Sequence, residues 1–93
     1  MRRTYRTWQV LGAISDLTCA RPGAGPSNRE IAAAAGIEDE GQTSRLLKRL
    51  EGHCLIENTG VGHARGGANA WGLTVEGVEF RRELEGWFGT GGG

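Results

Sequence analysis

Between Gln42 and Gly52, the side chains able to touch a polyanion or a base edge collect on one side of a helix. Thr43, Leu46, Leu47 and Leu50 recur at i, i+3, i+4 and i+7, the spacing of a buried stripe, which leaves Gln42, Ser44, Arg45, Lys48 and Arg49 outside. That outer face carries three cations with no acid between them and two side chains able to hydrogen-bond base edges. Arginine forks onto the acceptors of guanine and glutamine pairs with adenine, whereas a cation further along the helix holds phosphate. Taken from the residues alone, the same face reads first as a solvated helix surface. His63 and Arg65 form a second group, inside the glycine-rich stretch 60 to 68. Two readings stand there: a wing whose arginine enters a minor groove or touches phosphate, and an exposed loop.

Other chemistries lack their residues. The stretch Gly60-Val61-Gly62-His63-Ala64-Arg65-Gly66-Gly67 has neither GxGxxG nor GxxxxGK spacing and precedes a strand, so it is not a nucleotide cradle. His53, Cys54, Cys19 and His63 are not arranged in the spaced pairs of a structural zinc site, and no metal or other cofactor is expected. The two cysteines have no CxxC spacing and read as reduced thiols. No Ser, His and acid grouping suggests a nucleophile, so an enzyme is not expected.

The elements that must position these groups follow from periodicity. Trp8, Leu11, Ile14 and Leu17, with Val10 beside them, make one stripe of a first helix over 4 to 19. Arg21-Pro22-Gly23-Ala24-Gly25-Pro26 ends it, because proline removes donors and glycine loosens the backbone. Ser27-Asn28-Arg29-Glu30 has capping-box spacing, worth about 1 kcal/mol, and opens a short helix that Gly36 closes in a left-handed conformation. After the acidic turn Glu38-Asp39-Glu40-Gly41 comes the helix of the first paragraph. Strands over 55 to 59 and 69 to 74 form a hairpin with a long tip, and Thr74 caps a last helix with Phe80, Leu84, Trp87 and Phe88 on one face. One domain is expected over 1 to 88, with a disordered glycine-rich tail over 89 to 93.

That order, helix-helix-helix-strand-strand-helix, is mainly α with a small β-hairpin and is the order of a winged helix-turn-helix. The residues themselves resemble MarR-like bacterial transcription regulators. The segments Asn28-Arg29-Glu30-Ile31-Ala32-Ala33-Ala34-Ala35-Gly36-Ile37, Ser44-Arg45-Leu46-Leu47-Lys48-Arg49-Leu50-Glu51 and Leu55-Ile56-Glu57-Asn58 are similar to their reader segment. Trp71-Gly72-Leu73-Thr74-Val75-Glu76-Gly77 is similar to the junction that closes their wing. The match spans about residues 5 to 85, and it extends to winged-helix segments at the ends of longer actinobacterial regulators, which implies a stand-alone version or an excised domain. Three features depart from the pattern: Cys54 replaces the glycine that usually ends the reader helix, Val75 a frequent proline, and the turn before Gln42 is longer and more acidic. The resemblance implies double-stranded DNA as partner and Gln42, Thr43, Ser44, Arg45, Lys48, Arg49, His63 and Arg65 as the DNA-binding residues. It also implies a homodimer through the terminal helices, where Trp8, Trp87 and Phe88 otherwise read as core packing.

Charge bears on the alternative. Eleven basic groups balance eleven acidic ones, and phosphate affinity comes mostly from excess cations. The balance is uneven along the chain: five basic against two acidic in residues 1 to 35, and two against four in residues 75 to 93. A charged face on a neutral protein is therefore expected. The competing class is a protein-interaction module that keeps the scaffold without binding DNA, favoured if Glu38, Asp39 and Glu40 interrupt the positive face. No run of eighteen apolar residues exists and the N-terminus lacks a secretory apolar stretch, so a cytoplasmic protein without membrane contact is expected.

Overall fold

The computed structural model describes residues 3–20, 25–59 and 70–89. In chain order these form α1 (Tyr5–Ala20), α2 (Asn28–Ala35), α3 (Glu40–Gly52), β1 (Ile56–Asn58), β2 (Trp71–Leu73) and α4 (Val75–Leu84), the last continued by a π-helical turn over Glu85–Gly89. Four helices and one antiparallel hairpin in this order make a winged helix-turn-helix.

Each helix starts and stops for a local reason. Thr4 sits before α1 and its hydroxyl accepts from the Thr7 amide at 3.1 Å. At α2 the capping box is complete: the Glu30 amide donates to the Ser27 hydroxyl at 3.2 Å and the Ser27 amide to the Glu30 carboxylate at 2.9 Å. Gly36, at φ 72°, then reverses the chain while the Ile37 amide donates back to the Ala32 carbonyl at 2.8 Å. Helix α3 begins two residues earlier than expected. Asp39 is its N-cap, accepting from the Gly41 and Gln42 amides at 2.8 and 3.4 Å, so the acidic turn is the start of the helix and carries its negative charge at the positive end of the dipole. The end of α3 repeats the end of α2 without glycine: Cys54 takes φ 62°, its amide donates to the Glu51 carbonyl at 2.9 Å, and the Leu55 amide donates to the Leu50 carbonyl at 3.0 Å.

The core lies between α1, α2 and α3. Val10, Leu11 and Ile14 of α1, Ile31 of α2 and Leu47 and Leu50 of α3 are fully buried, and Trp71 of β2 and Leu84 of α4 close its sides. At about 25 cal/mol per Å² of apolar surface, these side chains dominate stability. Trp8, Leu17 and Leu46, expected inside, are half-buried at its margin. The hairpin pairs Ile56 with Leu73, Glu57 with Gly72 and Asn58 with Trp71, a shorter ladder than the expected strands. Pro26 joins it from the other side, its carbonyl accepting from the Trp71 amide at 3.0 Å, so the entry to α2 is fixed on the edge of β2. Gly77 lets α4 press onto this layer, since a Cβ there would overlap the Leu55 carbonyl oxygen.

The last helix differs from its expected stripe. Phe80 is half-buried and Leu84 buried, but Trp87 is 65% exposed. Placing Phe80, Leu84, Trp87 and Phe88 on one face assumes 3.6 residues per turn, and the wider turn over Glu85–Gly89 carries Trp87 off it. Gly89, expected in the tail, belongs to that turn; residues 90 to 93 lie outside the described residues. No described helix is long and apolar enough to cross a membrane.

Candidate nucleic-acid interface

Helix α3 is held from beneath by Thr43, Leu47 and Leu50, each fully buried. With those three pointing inward, helical geometry turns Arg45 to the opposite side with Lys48 beside it, and both are exposed. Thr43, expected among the DNA-binding residues as well as in the buried stripe, belongs to the stripe alone: with no exposed surface it has no route to a duplex. Among the described residues its hydroxyl meets only the Asp39 carbonyl, at 3.5 Å.

The remaining α3 residues divide between two flanks. Gln42 and Arg49, with Arg45 and Leu46, line a groove of about 330 Å³ whose other wall is the first turn of α1, contributed by Thr4, Arg6 and Thr7. Arg6 therefore joins Arg45 and Arg49 around one groove although nearly forty positions separate them in sequence. On the other flank Ser44 is half-buried against α2, and its hydroxyl accepts from the Asn28 side-chain amide at 3.1 Å. The Asn28 carbonyl oxygen in turn accepts from the Trp71 indole N–H at 2.6 Å, tying the first turn of α2 to both the hairpin and α3. His63 and Arg65 lie outside the described residues.

Among the described residues, Arg6, Arg45, Lys48 and Arg49 meet no carboxylate, and ion pairs join Arg3 with Glu83, Arg29 with Glu40 and Arg81 with Glu85. The acids of the turn are partly engaged: Asp39 caps α3 and Glu40 stands 3.8 Å from Arg29. Arg29 and Glu40 are both well exposed, so solvent screens that pair and it is worth little to stability.

Sequence reasoning missed Arg6, Asn28 and Trp71 as parts of this site. The basic bias of the N-terminal two-fifths pointed toward Arg6, but only the approach of the first turn of α1 to the flank of α3 assigns it to the groove. For Asn28 the signal was weaker, a capping-box position without a stated partner, and the indole N–H of Trp71 announced only that it would need an acceptor if buried.

No protein-family model matches the chain, and no curated protein matches it by sequence. Solved structures do match by shape. A variant of MepR from Staphylococcus aureus superposes with a TM-score of 0.74 at 22% identity over 94% of this chain and 59% of its own. The PcaV transcriptional regulator of Streptomyces coelicolor, solved with its natural ligand, gives 0.72 at 22% identity over 94% and 56%. A further MepR variant, bound to an oligodeoxyribonucleotide, gives 0.70 at 23% identity over 94% and 59%. MepR and PcaV are MarR-family transcription regulators with a winged-helix fold, and this chain shares that fold while spanning less than two thirds of their length.

Proposed function

We propose that the chain binds double-stranded DNA sequence-specifically, as a bacterial transcription regulator or as the DNA-binding domain of one. The observation that carries this is the set of cations Arg6, Arg45, Lys48 and Arg49, without a carboxylate partner among the described residues, on the outward face of α3 and the groove beside it. Helix α3 is the second helix of the helix-turn-helix, the one that such domains lay in the major groove. Arg45, a turn nearer the N-terminus, reaches a base edge and forks onto guanine, while Lys48, Arg49 and Arg6 hold phosphates on either side. Gln42 serves the α1 flank of the interface, and His63 and Arg65, between the two strands in sequence, extend it as the wing. The oligodeoxyribonucleotide bound by a MepR variant of the same fold supports the same kind of ligand. The chain acts as a homodimer: Tyr5, Trp8 and Phe88 cluster at one end in tilted and edge-to-face contacts, with ring centroids 5.4 to 6.1 Å apart, and Tyr5 and Trp87 leave apolar surface there for a second copy.

Titration of variants against a selected duplex and random duplex at several salt concentrations tests this. Arg45→Ala should cost roughly 1 to 3 kcal/mol on the selected duplex and little on random DNA. Lys48→Ala and Arg6→Ala should weaken every duplex alike and flatten the slope of log affinity against log salt by about one unit each. Indifference of all duplexes to all three variants would overturn the proposal and favour a protein-interaction module on the same scaffold.

A further inference from the structure

The chain of hydrogen bonds through Trp71, Asn28 and Ser44 has a direction that its chemistry fixes. An indole N–H only donates, so the Asn28 atom 2.6 Å from it is the carbonyl oxygen. The other end of the same amide is then the NH₂ group, and it faces the Ser44 hydroxyl at 3.1 Å as a donor. Ser44 Oγ must accept this bond, which turns its own proton away from Asn28. Among the described residues no acceptor takes that proton, and Ser44 is half-exposed on α3 next to Arg45. Trp71 is almost fully buried, so its indole is held by packing and the direction of the chain does not relax with solvent.

We infer that Asn28, oriented by Trp71, keeps the Ser44 hydroxyl proton turned outward and uncommitted, so that Ser44 donates it to bound DNA and this position of α3 favours an acceptor there. The inference rests on the DNA binding proposed above and adds to it the polarity of one contact. Serine hydroxyls ordinarily rotate to suit either partner; here the amide fills one lone pair and points the proton away from α2. The acceptor is a base-edge oxygen or nitrogen, or a phosphate oxygen.

The polarity is reversible by a single change. Asn28→Asp substitutes an acceptor for the donor, so the aspartate accepts from both Trp71 and Ser44 and the hydroxyl proton swings inward. The probe is a duplex selected from a random-sequence pool by the unmodified chain, with titrations of Ser44→Ala, Asn28→Asp and the double variant, each shown to be folded by melting. Ser44→Ala should weaken binding about tenfold, the loss of one hydrogen bond. Asn28→Asp should lose the same contact and add a charge penalty, and in the Ser44→Ala background only the charge penalty should remain, so the two substitutions should be strongly non-additive. If Asn28→Asp fails to fold, Trp71→Phe replaces it. Freed to turn over, the amide then weakens binding about threefold with serine present and not at all with alanine. Base analogues that each lack one acceptor, and methylphosphonate linkages, identify the source: at the contacted position the unmodified chain and Ser44→Ala should bind equally. Failure of the unmodified chain to select any duplex would overturn DNA binding and this inference together. Selection followed by additive losses, by a Ser44→Ala variant as tight as the parent, or by no equalising position would overturn the inference alone.

Discussion

Cys54→Gly should stabilise the protein, which is unusual for removal of a side chain. The residue ends α3 at φ 62°, where an L-residue pays roughly 1 to 2 kcal/mol for the approach of its Cβ to the backbone. Its side chain is exposed, so little apolar burial is lost with it. Against the relief stands the larger backbone freedom that glycine brings to the unfolded chain, about 0.4 to 1 kcal/mol. The net gain lies between about 0 and 1.6 kcal/mol, with a middle value of about 0.8 kcal/mol that corresponds to a rise in melting temperature of about 3 to 6 °C for a domain of this size. Thermal melting under reducing conditions measures it, with Cys54→Ala as the control that removes the thiol and keeps the Cβ. Alanine should leave stability near that of the parent and glycine should exceed it. The reciprocal change is Gly36→Ala at the end of α2. Nothing lies within 4 Å of a Cβ built there, so its cost, about 1 kcal/mol, is conformational alone. A Cys54→Gly variant no more stable than Cys54→Ala would refute the reasoning, because both lose the thiol and the relief of the left-handed penalty should exceed glycine's greater freedom in the unfolded chain.

Three further outcomes are expected. Ser27→Ala should cost about 1 kcal/mol in the same melting assay by opening the capping box of α2; an unchanged midpoint would mean the cap carries no energy. Gly77→Ala should cost about 1 to 3 kcal/mol or more, since the Cβ meets the Leu55 carbonyl and backbone on both sides must shift; denaturant melts measure it, and wild-type stability would show that α4 does not seat as described. Sedimentation of the full chain should show a dimer that Trp87→Ala or truncation after Glu85 converts to monomer, and a monomeric parent at high micromolar concentration would remove the dimer and with it the expectation of half-sites about 34 to 36 Å apart.

Features governed by neighbours within about a turn were legible in the sequence. The Ser27 and Glu30 box, the reversal at Gly36, the inward set Thr43, Leu47 and Leu50 and the exposed trio Arg45, Lys48 and Arg49 all follow from spacing, since caps and helical faces are set by residues three or four apart. Even the oddity at Cys54 was visible as a missing glycine, and the left-handed φ that makes it matter is a local consequence of the same turn. Where the local rule failed, a neighbouring residue broke its premise. Asp39 drew the start of α3 back to Glu40, and the widened turn over Glu85–Gly89 carried Trp87 out of a stripe drawn for a regular helix. The long-range parts of the site belong to the fold alone. Arg6 reaches the groove beside Arg45 and Arg49 only because the fold brings the first turn of α1 up to the flank of α3, and Trp71 meets Asn28 only because the hairpin folds back onto the start of α2. A hydrogen bond between positions 28 and 71 leaves no periodic trace in either segment, because its partners are brought together by burial of Leu11, Ile14, Leu47 and Leu50, a force without direction that decides which surfaces meet.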